Sequence, residues 1–188
     1  MKSKRLWVLA TCFGFALVSW NPVMAQPTMV CRTARIQFKA STPLEKITAT
    51  NNNGLALLDP ASGKLEIVVL LKSFQFSNAL MQDHFNDNYV ESDRFPKAKF
   101  QGQLVDLPFK WFLQDQWDGW AVGTLELHGK SQVVKIPVQL NKQKNNWSGQ
   151  AQFVLQPEQY DIVIPALVRD KIAKAVDIQV QVLFPLLK

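Results

Sequence analysis

The chain has 188 residues, of which 47% are hydrophobic and 19% are charged, and its formal net charge is +6. This length predicts a single domain. The Lys and Arg residues are scattered among the predicted strands and turns and form no basic stripe, which argues against a nucleic-acid-binding protein.

The N-terminal segment has the three parts of a secretory signal peptide. Met1–Arg5 contains three basic residues, Leu6–Ser19 is apolar, and small residues precede a cleavage position after Ala25. We therefore predict a signal peptide over residues 1–25, an exported protein, and one mature domain over residues 26–188.

Cleavage would leave 18 basic and 15 acidic residues, a net charge of +3. It would also remove Cys12, so that Cys31 is the single cysteine of the mature domain and no intramolecular disulfide can form. We expect Cys31 to be a small buried apolar side chain. A lipoprotein would need Cys12 as its anchor, but Thr11 precedes this cysteine and the apolar run before it is very short.

Alternating apolar and polar residues predict strands in the first half of the mature domain. Residues 28–40 form the first, and the next apolar stretch, Ile47 to Leu58, is divided at Asn51-Asn52-Asn53-Gly54, where we predict a turn. A long strand then begins at Leu65. Its second face carries the apolar residues Val68 and Leu70, so we expect the following helix to cover that face.

One segment has a helical period. Met81, Phe85 and Tyr89 recur at i, i+4 and i+8 with Leu80 beside them, which predicts a short helix with one apolar stripe. Ser77 is the predicted N-cap, because a serine oxygen can accept a hydrogen bond from a free backbone N–H. Phe95-Pro96 prevents the helix from continuing, since the residue before a proline disfavours the helical conformation.

The second half again alternates with period two. We predict a turn at Asp118-Gly119, a tight connection at His128-Gly129, and an edge, bulge or outward-facing position for Pro137, which has no N–H for a ladder bond. The further predicted strands cover residues 98–104, 120–127, 134–140, 147–155 and 176–184.

These elements predict an all-β domain with one short helix. About eight antiparallel strands, each with one apolar face, must close into a sandwich or a barrel to bury that face. The alternation alone leaves two possibilities open, a core filled by its own side chains and a cavity that holds a ligand.

The order of the residues resembles the YceI-like family. Three stretches carry the resemblance: the segment from Phe74 to Phe100, Gly123-Thr124-Leu125-Glu126-Leu127-His128-Gly129, and the tail from Gly149 through Tyr160-Asp161-Ile162 to the final strand. The positions that match the family pattern are Asp83, His84, Phe95, Pro96, Gly123, His128 and Gly129. Many members carry Arg-Asp-x-His near the end of the helix, where this chain has Gln82-Asp83-His84-Phe85.

The resemblance implies a lipocalin-like antiparallel barrel around an apolar tunnel, in a periplasmic protein that binds isoprenoid chains, quinone tails or other long-chain lipids. The side chains expected to line the tunnel are Phe38, Ile67, Val69, Leu80, Met81, Phe85, Phe100, Leu125, Leu127, Ile136, Val138, Phe153, Ile178, Val180 and Val182. Leu80, Met81 and Phe85 are expected to close one end. No cofactor is expected other than a bound isoprenoid or other long-chain lipid.

Catalytic and metal-binding patterns are weak. His84 and His128 are the two histidines, and the neighbouring Asp83 and His84 point in different directions on a helix and so form no dyad. No phosphate loop, nucleophile elbow or zinc spacing is present, and we predict a protein that is not an enzyme. Asp83, Asp87 and Glu91 form either a weak cation site or a solvated acidic face. His128 either holds its turn or contacts ligand.

Two alternatives to a lipid carrier stay open at this point. One is a barrel with a filled core that acts as a protein-interaction or stress-response module, and the other is an enzyme that converts a lipid. Trp117 and Trp120 either pack in the core or lie at the tunnel mouth, where they could make transient contact with a membrane surface. The sequence carries no signal for an oligomeric state.

Overall fold

Eight antiparallel strands close on themselves in the computed structural model, which describes residues 28–41, 46–163 and 175–185. The strand order is β1-β9-β8-β7-β6-β5-β3-β2, and β2 pairs back with β1 to complete the ring. The ninth strand, β4, adds a two-residue pairing to β2. The predicted closed antiparallel barrel with one short helix is confirmed. The predicted signal peptide over residues 1–25 lies outside the described residues.

The strands are β1 (Met29–Ser41), β2 (Lys46–Leu58), β3 (Lys64–Leu70), β4 (Gln75–Phe76), β5 (Lys97–Val105), β6 (Gln116–Leu127), β7 (Lys130–Gln143), β8 (Asn146–Leu155) and β9 (Val176–Pro185). Helix α1 (Ala79–His84) continues into a π-helical turn, Phe85–Tyr89, and short 3-10 turns cover Leu71–Ser73, Trp111–Leu113 and Pro157–Tyr160.

The turn predicted at Asn51-Asn52-Asn53-Gly54 is wrong, because β2 runs straight through it. Ala34 pairs with Gly54 and Ile36 with Asn51, so the segment is a bulge in the barrel wall. Asn51 is buried, where its Nδ2 donates to the Leu70 carbonyl at 2.8 Å and its Oδ1 accepts from the Asn53 N–H at 2.9 Å. A buried asparagine is tolerated here because both ends of its amide are paired.

The turn predicted at Asp118-Gly119 is also wrong, since both residues lie inside β6. The glycine is needed for packing: a Cβ at Gly119 would lie 2.6 Å from Cη2 of Trp117. The indole of Trp117 therefore lies across its own strand and is buried, so that of the two alternatives for this residue it packs in the core and does not lie at a tunnel mouth.

Helix α1 begins one residue later than predicted. Asn78 is the N-cap, and its Oδ1 accepts from the Leu80 N–H at 2.9 Å, whereas Ser77 precedes the cap. The helix does not cover the outer face of β3, because Leu70 is 46% exposed. It instead turns Met81 and Phe85 towards the interior of the barrel.

The two ends of the barrel differ. Trp117 is the second residue of β6, Trp147 is the second residue of β8 and Phe184 is the last but one of β9, and all three are buried at the end away from the helix. Trp111 joins them, with its ring centroid 4.8 Å from that of Trp147 and its Nε1 donating to the Pro60 carbonyl at 3.0 Å. This end of the barrel is filled by aromatic rings. Cys31 is buried, as predicted.

Two local predictions in the second half are confirmed. His128 and Gly129 both have positive φ, 52° and 71°, and form the tight β6–β7 connection. Pro137 faces outward and is exposed within β7. Across the described parts of the chain, no helix is long and apolar enough to cross a bilayer.

Candidate ligand cavity

The half of the barrel nearest the helix contains a cavity of about 360 Å³. Each of the eight barrel strands contributes apolar side chains to its wall, because residues two apart on a strand face the same side. Space is left where small residues face inward, at Ala40, Ala98, Ala121 and Ala151.

Most of the residues predicted to line a tunnel do line this cavity. They are Phe38, Ile67, Val69, Met81, Phe85, Phe100, Leu125, Leu127, Ile136, Val138, Phe153, Ile178 and Val180. That these side chains contact a ligand stays a prediction.

Two predicted lining residues lie elsewhere. Leu80 is 60% exposed on the outer side of α1, because the helical stripe that faces the barrel is centred on Met81 and Phe85. Val182 faces inward but lies outside the cavity, nearer the end of the barrel that aromatic rings fill. Its Cγ2 occupies the space that a Cβ at Gly149 would need. Both residues follow the apolar pattern, which does not tell a filled level of a barrel from a hollow one.

Four phenylalanine rings pack together at the helix end. Phe38 lies 5.5 Å from Phe74, 5.6 Å from Phe76 and 5.5 Å from Phe85, measured between ring centroids. Phe76 and Phe85 are 5.1 Å apart. The rings meet in tilted, edge and stacked arrangements that aromatic pairs favour. Phe74 and Phe76 were missed from the sequence, although their i, i+2 spacing before the helix is the pattern of two side chains on one strand face.

Polar groups reach the cavity near the helix. His84, in the last turn of α1, is exposed yet lines the cavity, and Tyr89 lines it from the π-helical turn. Burial raises the pKa of the Tyr89 phenol, so its hydroxyl stays a neutral donor at physiological pH. Lys99 is paired, with its Nζ 3.1 Å from Oε1 of Glu66. These three side chains form the polar edge of an otherwise apolar cavity.

Three of the family-pattern residues meet away from the cavity. The rings of Phe95 and His128 are 4.6 Å apart, and a Cβ at Gly129 would lie 2.7 Å from the Phe95 ring. His128 Nδ1 lies 3.0 Å from the Tyr160 carbonyl oxygen, and its Nε2 lies 3.6 Å from Oε2 of Glu91. The contacts join the β6–β7 connection to the segment after the helix, which supports a structural role for His128.

The family-pattern residues Pro96, Gly123 and Asp83 lie outside this group of contacts. The Pro96 carbonyl accepts from the Leu71 N–H at 2.9 Å and so ties the start of β5 to the end of β3. Gly123 pairs with Gly102 across β5 and β6, and a Cβ on either would collide with main-chain atoms of the other strand. Asp83 is exposed on α1 and does not line the cavity.

The acidic spacing of Asp83, Asp87 and Glu91 does not produce a cation site. Glu91 lies beyond the helix with φ of 46°, and its Oε2 is 3.5 Å from Nη1 of Arg94. The described residues hold no group of three or more His, Cys, Asp or Glu side chains that could bind a metal ion.

Comparisons with known proteins agree with this geometry. The model of the YceI-like domain family matches residues 28–184. A polyisoprenoid binding domain from Saccharophagus degradans, implicated in plant cell wall breakdown, has a TM-score of 0.70 at 14% identity, over 85% of this chain and 98% of that one. BcnA from Burkholderia cenocepacia has a TM-score of 0.66 at 13% identity, over 80% and 95%.

A YceI protein from Campylobacter jejuni also matches, with a TM-score of 0.54 at 14% identity over 100% of both chains. At these identities the structural likeness shows the shared barrel fold alone. No curated protein sequence gives a significant match.

Proposed function

Because the chain belongs to the YceI-like domain family, we propose that it binds a long apolar molecule, isoprenoid, quinone-like or fatty-acyl, inside its barrel. The observation that carries this proposal is the cavity of about 360 Å³ with an apolar wall built from all eight barrel strands. The fold shared with a polyisoprenoid binding domain supports the same class of ligand.

The energetics favour long chains. Burial of about 0.8 kcal/mol per CH₂ gives roughly 3–4 kcal/mol for each five-carbon isoprene unit. Association itself costs an estimated ~4–15 kcal/mol. A ligand of one or two units therefore binds poorly, whereas a chain of several units binds well without any specific polar contact.

We place the polar end of the ligand beside His84 and Tyr89. These are the polar side chains that reach the cavity near the helix without a charged partner among the described contacts. The aromatic rings at the opposite end leave no comparable polar edge in the described structure. The hydrocarbon chain would extend from His84 towards Ala121 and Ala151.

The direct test is an organic extract of the purified protein analysed by mass spectrometry. We expect a long-chain lipid that is released on denaturation. The protein should then be stripped, and it should take up a defined polyprenyl chain with saturation at a fixed stoichiometry. Protein that yields no lipid and does not saturate would contradict the proposal and favour a protein-interaction module that binds no lipid.

Catalysis is a separate question with a separate readout. We propose that the protein is not an enzyme, and a loaded lipid should be recovered chemically unchanged after prolonged incubation. Conversion of that lipid over time, abolished in His84→Ala, would establish the enzymatic alternative instead.

We further propose that the protein is exported to the periplasm after cleavage behind Ala25. The basic, apolar and small-residue parts of the N-terminal segment support this. Intact-mass measurement of the protein from its host should show a chain that begins at Gln26. Recovery of a chain that keeps its first 25 residues from the cytoplasm would contradict the export proposal and leave the lipid-binding proposal untouched.

A further inference from the structure

The barrel wall has a break between β7 and β8. The two strands pair from Val138 opposite Ala151 to Gln143 opposite Asn146, and the described register includes no pair beyond Val138. Both strands nevertheless continue, because β7 pairs with β6 as far as Lys130 and β8 pairs with β9 as far as Leu155. We call the unpaired stretch, residues 134–137 of β7 and 152–155 of β8, the β7–β8 window.

Pro137 explains where the window begins. It is the first residue of β7 beyond the last pair with β8, and a proline has no N–H to donate to a ladder. The 3-10 turn Pro157–Tyr160 borders the other end of the window, where Gln132 Nε2 donates to the Gln159 carbonyl at 2.9 Å. A side-chain hydrogen bond therefore joins strand and turn where a main-chain ladder would otherwise continue.

The window lies in the wall of the ligand cavity. Ile136 on β7 and Phe153 and Leu155 on β8 face inward and line the cavity. Separating the two strands at this place would connect the cavity with the outside of the barrel without disturbing a β7–β8 main-chain hydrogen bond.

The outer border of the window carries exposed apolar side chains. Val133 is 80% exposed and Val154 is 59% exposed, although outward positions of a strand beside water are usually polar. Trp120, which pairs with Pro137 across β6 and β7, is 44% exposed, and the Nζ of Lys135 lies 4.5 Å from the centre of its ring. A tryptophan, a lysine and exposed valines together suit the boundary between lipid headgroups and acyl chains.

We propose that this face of the barrel docks on a lipid bilayer and that the ligand chain enters and leaves through the β7–β8 window. The inference rests on the proposed lipid-binding function. Among the described residues, a route directly beneath the helix requires separation of the four packed rings of Phe38, Phe74, Phe76 and Phe85. Passage through the window requires only that the side chains lining it move aside and that the hydrogen bond between Gln132 and Gln159 breaks.

A cross-link across the window tests the route. In a Cys31→Ala background, Lys135→Cys with Val154→Cys would be joined by a short bis-maleimide, because continuing the register places these two residues opposite each other. Gln139→Cys with Gln150→Cys is the matched control, since this pair lies within the existing ladder. The probe is a fluorescent polyprenyl chain in vesicles of phosphatidylcholine and phosphatidylglycerol.

We expect the window cross-link to remove most of the transfer rate from vesicles and the control cross-link to leave it unchanged. A cross-linked window that loads as fast as the uncross-linked protein would overturn the route. If the stripped, unmodified protein takes up no polyprenyl chain even from detergent, the lipid-binding function fails, and the window proposal fails with it. Loading from detergent therefore separates the two failures.

Charged substitutions on the outer border test the bilayer as the source. Val133→Asp and Val154→Asp should slow transfer from vesicles while the affinity for chain loaded from detergent is unchanged, because a carboxylate resists entry into the apolar part of a bilayer. Leu183→Asp, at an exposed position on β9, is the control and should transfer as the unsubstituted protein does. Unchanged transfer in the two valine variants would overturn docking of this face on a membrane.

Discussion

A tryptophan at position 180 should prevent the protein from holding a long chain. Val180 lies in β9 between Ile36 of β1 and Ala151 of β8, and its side chain lines the cavity. The indole brings about seven further heavy atoms into this space, enough to displace at least one five-carbon isoprene unit. At about 0.8 kcal/mol per CH₂ the loss is roughly 4 kcal/mol, which weakens binding about a thousandfold.

The assay loads stripped protein with a defined polyprenyl chain from detergent and measures the bound fraction by native mass spectrometry. Leu183→Trp is the control, because it adds the same ring to an exposed outer position three residues away on the same strand. Circular dichroism and thermal melting should show that both variants fold. If Val180→Trp folds and still takes up the chain with unchanged affinity, the assignment of this face to the ligand site is wrong.

Three further substitutions test the scaffold around the cavity. Gly123→Ala should lower the free energy of unfolding by about 1–3 kcal/mol in denaturant titrations, because its new methyl group would collide with the Gln101 carbonyl oxygen. His128→Ala should cost about 1–3 kcal/mol of stability through loss of the bond to the Tyr160 carbonyl, while ligand affinity stays unchanged, and a selective loss of affinity would instead make this histidine a ligand contact. The hydrogen bond from the Ser62 hydroxyl holds the pKa of the Asp59 carboxyl below its usual value. The stability that this bond contributes is therefore present above the unfolded-state pKa and is lost as pH falls through the folded-state pKa. Asp59→Asn should flatten the pH dependence of the melting temperature on the acid side, and an unaltered profile would contradict the assignment of this dependence to Asp59.

The alternation of apolar residues was sufficient to predict an antiparallel all-β domain and the inner face of its strands, whereas the choice of a barrel over a sandwich came from the resemblance to a family. Alternation predicts the inner face because a one-residue shift in register would move all the apolar side chains of a strand to the solvent face. The register of strands such as β9 is therefore strongly constrained by burial. Ile178 and Val180 alternate with polar neighbours and line the cavity as expected, and Val176, which was not predicted to line it, does so as well. The resemblance to a family then favoured a cavity over a filled core, a distinction that alternation does not make.

The errors arise where a residue that favours turns is used for another purpose. Asn51 resembles a turn residue in the sequence, yet its amide is paired inside a bulge with the Leu70 carbonyl and the Asn53 N–H. Gly119 makes room for the ring of Trp117 and does not turn the chain. In each case the partner that decides the outcome is a tertiary or side-chain contact, which local turn preferences do not include.

The position of the helix was the other limit of sequence reasoning. The predicted apolar stripe is present in the structure, but the sequence pattern does not determine whether it packs on the outer face of β3 or on the end of the barrel. The structure directs Met81 and Phe85 into the barrel end and leaves Leu70 exposed, because the barrel end offers Phe38, an aromatic partner whose ring lies 5.5 Å from that of Phe85. The closure of the site therefore depends on aromatic contacts between distant parts of the chain.

The division of the barrel into a filled half and a hollow half is itself an argument for an occupant. Tryptophan rings fill one end, whereas alanines such as Ala121 and Ala151 face inward beside the cavity. A closed apolar space costs about 24 cal/mol per Å³, so every ~100 Å³ of such space that stays dry and empty costs roughly 2 kcal/mol. The whole stability of an ordinary domain is only about 5–15 kcal/mol. Larger inward side chains would remove this cost, so alanine at these positions supports the proposal that an apolar molecule occupies the space.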